Sequence, residues 1–191
     1  GSHWCRDHGF ASDEDIEHTE SGGRVIGADF GAVSDRAVKR GISQIGTLGS
    51  GNHYLEIEFV GQGGLIDPAA AEVYGIEREG QVLVAVHCGS RGFGHQIATD
   101  YLKVFNQKAS QYGLKLNDRE LAAAPIESPE GKAYYGAMAC AANAAFANRQ
   151  VITHRIREAF QKVFNLSPHH LGMATIYDVA HNIARFEEYT I

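Results

Sequence analysis

Gly46-Thr47-Leu48-Gly49-Ser50-Gly51-Asn52-His53 runs directly into Tyr54-Leu55-Glu56-Ile57-Glu58-Phe59-Val60. The first half is a glycine-rich loop. The second alternates apolar and polar residues with a period of two, which predicts a strand over residues 53–60 with His53 at its mouth. An ideal strand turns residues 53 and 56 to opposite faces, so His53 and Glu56 can share a pocket only if the backbone is irregular near its start. The sequence therefore predicts a bend or bulge around residues 52–54.

Working outward, Gln81-Val82-Leu83-Val84-Ala85-Val86-His87 is a nearly continuous β-branched run and predicts a second strand, covered on both faces and again ending in histidine. The connection over residues 61–80 is rich in glycine, with one helical turn expected at 68–74. Beyond His87, Cys88-Gly89-Ser90-Arg91-Gly92-Phe93-Gly94 is a second glycine-rich turn. It leads into a helix expected over 94–112, with Ile97, Tyr101, Val104 and Phe105 as its apolar face. A long alanine-rich helix is expected over 131–164, its stripe formed by Tyr135, Met138, Ala142, Ala145, Phe146, Ile152, Ile156, Phe160 and Val163. Arg149 falls on that stripe, which demands either an ion pair or a phosphate contact, because an unpaired buried guanidinium is costly. A short helix over 32–42 places Arg36 and Arg40 on one face. Residues 4–23 read as a loop or arm, residues 114–130 as a surface excursion, and residues 174–184 as a final strand ending near His181. Strands alternating with helices give a mixed domain, α+β or α/β, and the pattern does not decide which.

The chain has 191 residues, 44% hydrophobic and 21% charged, enough for one sizeable core. It contains no long apolar run and no signal-peptide pattern, which gives the expectation of a cytoplasmic, membrane-free protein. Gly1-Ser2-His3 resembles a tag scar and is set aside. Cys5, Cys88 and Cys140 are odd in number and widely spaced, which argues against disulfides and zinc ribbons. A net charge of −6 confines any nucleic-acid contact to local basic clusters. One comprises Arg36, Lys39 and Arg40, the other Arg149, His154, Arg155, Arg157 and Lys162; for the second, solvated helix faces are the alternative.

Imidazoles are good ligands for Mn²⁺ or Zn²⁺, and His53, His87 and His181 at element ends could converge from distant parts of the chain. Their separations match no local metal motif, and a structural role for each stays open. Gly89-Ser90-Arg91-Gly92 before a helix start reads as a phosphate cradle or simply as a tight turn. Neither glycine loop carries a Walker A or dinucleotide fingerprint. Cys88 beside His87 points the opposite way in a strand, so a packed thiol is a better reading than a nucleophile.

Four blocks, taken together, resemble the RtcB family of RNA-splicing ligases. They are Gly46-Thr47-Leu48-Gly49-Ser50-Gly51-Asn52-His53-Tyr54-Leu55-Glu56-Ile57, His87-Cys88-Gly89-Ser90-Arg91-Gly92-Phe93-Gly94-His95-Gln96, Ala139 to Asn143 with Ala147-Asn148-Arg149-Gln150, and Tyr177-Asp178-Val179-Ala180-His181-Asn182-Ile183-Ala184. The resemblance implies a partial RtcB-like fold and a GTP- and Mn²⁺-dependent ligase. Such an enzyme joins RNA ending in a 2′,3′-cyclic phosphate or 3′-phosphate to RNA with a 5′-hydroxyl. It further implies His53, His87 and His181 as metal ligands, Asn52, Glu56 and Asn182 as GTP contacts, and Arg40 and Arg91 as RNA-phosphate contacts. RNA is the implied partner, and an accessory activator is left open.

The family's upstream D-x-x-C-G-type segment and its downstream H-G-A-G-R-type segment, whose histidine accepts GMP, have no counterpart here. Residues 4–191 are accordingly expected to form the central portion of the catalytic domain, inactive alone. Cys88 and Tyr189 stand where the family often has Ser or Thr and His. Two other readings stay open, the first of which uses the same histidines. One is a metal-dependent phosphoesterase drawing on Asp178 or Asp100; the other is a non-catalytic nucleotide- or RNA-binding fragment.

Overall fold

The computed structural model describes residues 1–190. Its spine is a single helix, α6 (Pro129–Phe164), of 36 residues, about 54 Å long at the usual rise per residue. Ser128 caps it by accepting a hydrogen bond from Gly131 N, and Pro129 sits in the first turn, where its missing N–H costs nothing. The helix ends at Asn165 in the left-handed conformation. Small residues let other elements approach α6 from two sides. On one, Ala137 packs with Ala37, Phe93 and Ile97 from α3 (Asp35–Gly41) and α5 (Arg91–Lys108). On the other, Ala139, Ala142 and Phe146 pack with Val25, Ala180 and Ile183. The predicted single stripe is thus a two-sided contact along the middle of the helix. Its far end is bare, with Val163 and Phe164 exposed.

The amino-terminal residues, expected as a loop or arm, form two short helices, α1 (Ser2–Asp7) and α2 (Asp13–Glu17). At six and five residues they are too short for helical periodicity to register. The legible signal was the reciprocal cap in which Ser12 Oγ accepts from Asp15 N and Asp15 Oδ2 accepts from Ser12 N. Residues 1–3 are integrated rather than trailing: Ser2 is fully buried, and a Cβ at Gly1 would lie 2.8 Å from the Asn143 carbonyl.

The strands are β1 (Tyr54–Phe59) and β2 (Val82–His87), paired antiparallel with Tyr54 opposite His87 and Phe59 opposite Val82. The expectation that both sheet faces are covered is corrected: Ile57, Phe59 and Val82, which share one face of the two-stranded sheet, are exposed. The connection carries α4 (Pro68–Val73), as expected. The predicted last strand is also corrected. Residues 174–184 follow an irregular path and pair only at a parallel bridge, Thr19 with Asp178. No described helix is long and apolar enough to cross a membrane.

Candidate functional site

The base of the hairpin brings the histidines together. His87 ends β2, and its Nε2 lies 3.1 Å from His181 Nε2. The His53 ring centroid is 6.2 Å from that of His87. The His87 and His181 rings meet edge to face at 5.0 Å between centroids, and His53 stands beside His87. In this conformation His53 is turned toward Arg91, whose Nη1 donates to His53 Nδ1 at 3.2 Å. No three His, Cys, Asp or Glu side chains among the described residues are arranged to hold an ion as they stand. Burial, the charge of Arg91 and the proximity of His87 all lower the His53 pKa, favouring the neutral, coordinating form.

The anticipated irregularity before the strand is present. Gly51 and Asn52 form a turn, with Gly51 at φ +78°, and regular alternation begins at Tyr54. His53 therefore stands outside the alternation. Opposed residues of an antiparallel pair share a face, so His87, opposite Tyr54, lies on the face that carries Glu56. The Tyr54 and His87 rings meet edge to face at 5.2 Å between centroids. Asn52, Glu56 and Asn182 are exposed around this cluster.

Arg91 occupies a built position. It opens α5 at φ +59°, a left-handed conformation unusual for a residue with a side chain, and its Nε donates to Thr47 Oγ1 at 3.2 Å. A Cβ on Gly49, itself at φ +104°, would lie 1.9 Å from the Arg91 Nη1. The glycine leaves room for the guanidinium between the two glycine-rich loops. The turn before α5 is partly satisfied from within, since Gly92 N donates to Gln44 Oε1 at 2.7 Å. Arg40, exposed on α3, donates to Gln96 Oε1 at 2.9 Å.

The family model described as tRNA-splicing ligase RtcB matches residues 1–191. The chain belongs to the RtcB family. It is 51% identical over 191 residues to the tRNA-splicing ligase RtcB of Pyrococcus abyssi, covering all of this chain and 20% of that protein. It is 52% identical over 191 residues to the Methanocaldococcus jannaschii protein of the same name, covering all of this chain and 19% of the relative. Identity to the Archaeoglobus fulgidus protein of that name is 49% over 191 residues, all of this chain and 39% of the relative. The chain thus spans about one fifth to two fifths of the length of these relatives.

Within this RtcB-family chain the three arginines of the second basic cluster are engaged internally, while Lys162 is exposed. Arg149 pairs with Asp178 through Nε, both side chains being about nine-tenths buried, and its Nη1 donates to the Cys88 carbonyl at 3.0 Å. The ion pair is therefore the role that its place on an apolar stripe demanded. Burial pushes the Asp178 carboxyl up despite Arg149, and Glu20 adds to the push. Arg157 grips Asp15 with two bonds of 2.7 and 2.8 Å, and Arg155 donates to the Gly46 carbonyl. Arg36, Lys39 and Arg40 remain exposed on α3. Cys88 is a packed thiol: buried, within 3.0 Å of the Leu48 carbonyl and 3.1 Å of Asn148 Nδ2, its pKa raised by burial. Asn148 itself went unassigned in the sequence reading. It is fully buried, and a buried amide must find partners, which here lie far away along the chain.

Proposed function

We propose that this chain forms the three-histidine side of the metal centre of a GTP- and Mn²⁺-dependent RNA ligase that joins 2′,3′-cyclic phosphate or 3′-phosphate ends to 5′-hydroxyl ends, working in the cytoplasm on broken RNA or tRNA halves. The observation that carries this reading is the approach of His87 Nε2 to His181 Nε2 at 3.1 Å, with a neutral-favouring His53 beside them. In that role His53, His87 and His181 would hold Mn²⁺, which would supply Lewis-acid stabilisation of charge on phosphoryl oxygens. The chain's own contribution is placement. In this reading Asn52, Glu56 and Asn182, all exposed, orient GTP. Arg91, fixed between the glycine loops, and Arg40 on α3 offer forked guanidinium contacts to an RNA phosphate.

The phosphoesterase alternative requires carboxylates beside the histidines. Asp178 faces Arg149, while Asp100 accepts from Ser34 Oγ and Gln96 Nε2 at 2.7 Å each. Asp100 is thus committed elsewhere through both oxygens, and Asp178 through Oδ1. Titration of the chain with Mn²⁺, followed by loss of the free-ion magnetic resonance signal, tests the metal reading. Uptake is expected in the wild type and strongly weakened in His87→Ala and His181→Ala. Uptake unchanged in both variants overturns it. With radiolabelled GTP and Mn²⁺ the 191 residues alone are expected to form no covalent guanylate, because no H-G-A-G-R-type segment is among them; a labelled protein band overturns that expectation.

A further inference from the structure

We propose that Asn148, Arg149 and Gln150, three consecutive residues in the middle of α6, act as a positioning clasp that sets the spacing of His53, His87 and His181. Consecutive helical residues point about 100° apart, so three in a row fan across roughly 200° of the helix circumference. Each can therefore grip a segment approaching from a different side. This helix does so with three adjacent polar side chains in a stretch otherwise dominated by alanine.

Asn148 is fully buried, and both ends of its amide are engaged. Its Oδ1 accepts from Gly46 N at 2.6 Å and Thr47 N at 3.2 Å, holding the loop that leads to His53. Its Nδ2 donates to the Gly89 carbonyl at 2.9 Å and the Thr47 carbonyl at 3.2 Å, tying that loop to the turn immediately after His87. Arg149 continues the link. Its Nη1 holds the carbonyl of Cys88, next to His87, while its Nε holds Asp178, three residues before His181. Gln150 donates to Thr19 Oγ1 at 3.0 Å. The segment around Thr19 bridges Asp178 through backbone bonds, His18 O accepting from Asp178 N and Asp178 O from Glu20 N.

Two neighbouring side chains thus connect all three histidine-bearing segments, and the third braces the segment that has no sheet of its own. None of the three belongs to the histidine cluster, so they act through the segments they hold. Outer contacts of this kind fix ligand orientation, and their loss typically weakens metal affinity by about 10- to 100-fold.

The clasp rests on reading the histidines as one site, and its test separates the two ideas. In the metal-free 191-residue chain, nuclear Overhauser contacts between the ring protons of His87 and His181, and of His53 and His87, report their spacing directly. The wild type should show them. Arg149→Lys keeps the charge opposite Asp178 but cannot grip two acceptors with a fork, and Asn148→Ser shortens the amide arm. Arg149→Lys should lose the His87–His181 contacts and Asn148→Ser the His53–His87 ring contacts, in each case while α6 amides stay protected, and both should bind Mn²⁺ at least about ten-fold more weakly per folded chain. Ile97→Val, which loosens the α3–α5 core remote from the clasp, is the control; it should lower stability yet keep both the ring contacts and Mn²⁺ affinity. Should Arg149→Lys not fold, Asp178→Asn removes only the far end of the same contact and is judged by the same criteria. Ring contacts retained in the folded clasp variants, or lost equally in Ile97→Val, overturn the clasp. A wild-type chain that shows the ring contacts but takes up no Mn²⁺ overturns the metal reading while the ring contacts still decide the clasp.

Discussion

At the scale of single residues, the buried Asp15–Arg157 pair makes the clearest prediction. Burial opposes ionisation of Asp15, but hydrogen bonds from Arg157, Thr175 and Ser12 outweigh it and hold the carboxyl far below its ordinary range. A depressed folded-state pKa stabilises the protein above the unfolded value of about 3.9, and that stabilisation is lost as pH falls below it. Asp15→Asn should cost about 3 kcal/mol at neutral pH, because Arg157 is left without its carboxylate. The cost should shrink on acidification from pH ~4 toward pH ~2, where the wild type loses its advantage. Urea midpoints measured at several pH values check this, and equal slopes for the two proteins across that acid range would refute it. Gly49→Ala should destabilise by about 2 kcal/mol, combining a left-handed backbone with a collision against Arg91. It should also release His53 from the guanidinium, raising the imidazole's titration midpoint in NMR; an unmoved midpoint would show that Arg91 does not hold His53 in solution. Single residues were also where the sequence was most legible for chemistry. His53, His87 and Arg91 could be singled out because glycine-rich loops flank them. Asn148 could not, since its partners at Gly46 and Gly89 lie far away along the chain and only folding reveals them.

At the scale of elements, length decided what could be read. The expected 131–164 and 94–112 helices correspond to Pro129–Phe164 and to Arg91–Lys108 continued by a short 3₁₀ turn, because many turns of periodic pattern accumulate along them. The five- and six-residue helices near the amino terminus carry barely one turn each, and tertiary contact with α6 decides them. The tail's Thr175-Ile176-Tyr177 has the composition of a strand, yet a strand needs an edge to pair with, and only Thr19 is offered. The long helix gives a graded prediction. Ser128→Ala should cost about 1 kcal/mol by removing the cap. Phe146→Ala, at a fully buried site, should cost about 4 kcal/mol through cavity formation. Denaturant unfolding checks both, and comparable losses would contradict the placement of the core around Phe146.

At the scale of the whole molecule, the hairpin leaves Leu55, Ile57 and Phe59 on an uncovered face. Exposed apolar strands invite association. Ile57→Lys should therefore reduce dye binding and self-association on light scattering while changing stability by no more than about 0.5 kcal/mol; a large loss of stability would show that the face is covered after all. That openness was the part of the fold least readable from sequence. The β-branched run over residues 81–87 signals burial by something, but not whether the burying surface lies within these 191 residues.

The hairpin's orientation also has a mechanical consequence. Its strands run outward from Tyr54 and His87 to Phe59 and Val82, about 20 Å at the usual strand rise. A tilt of roughly 10° about the base carries the far end some 3–4 Å over that length, yet hardly displaces the residues at the pivot. His87 sits at the fulcrum, so the outer turn can swing to meet a neighbour while the imidazoles keep their distances.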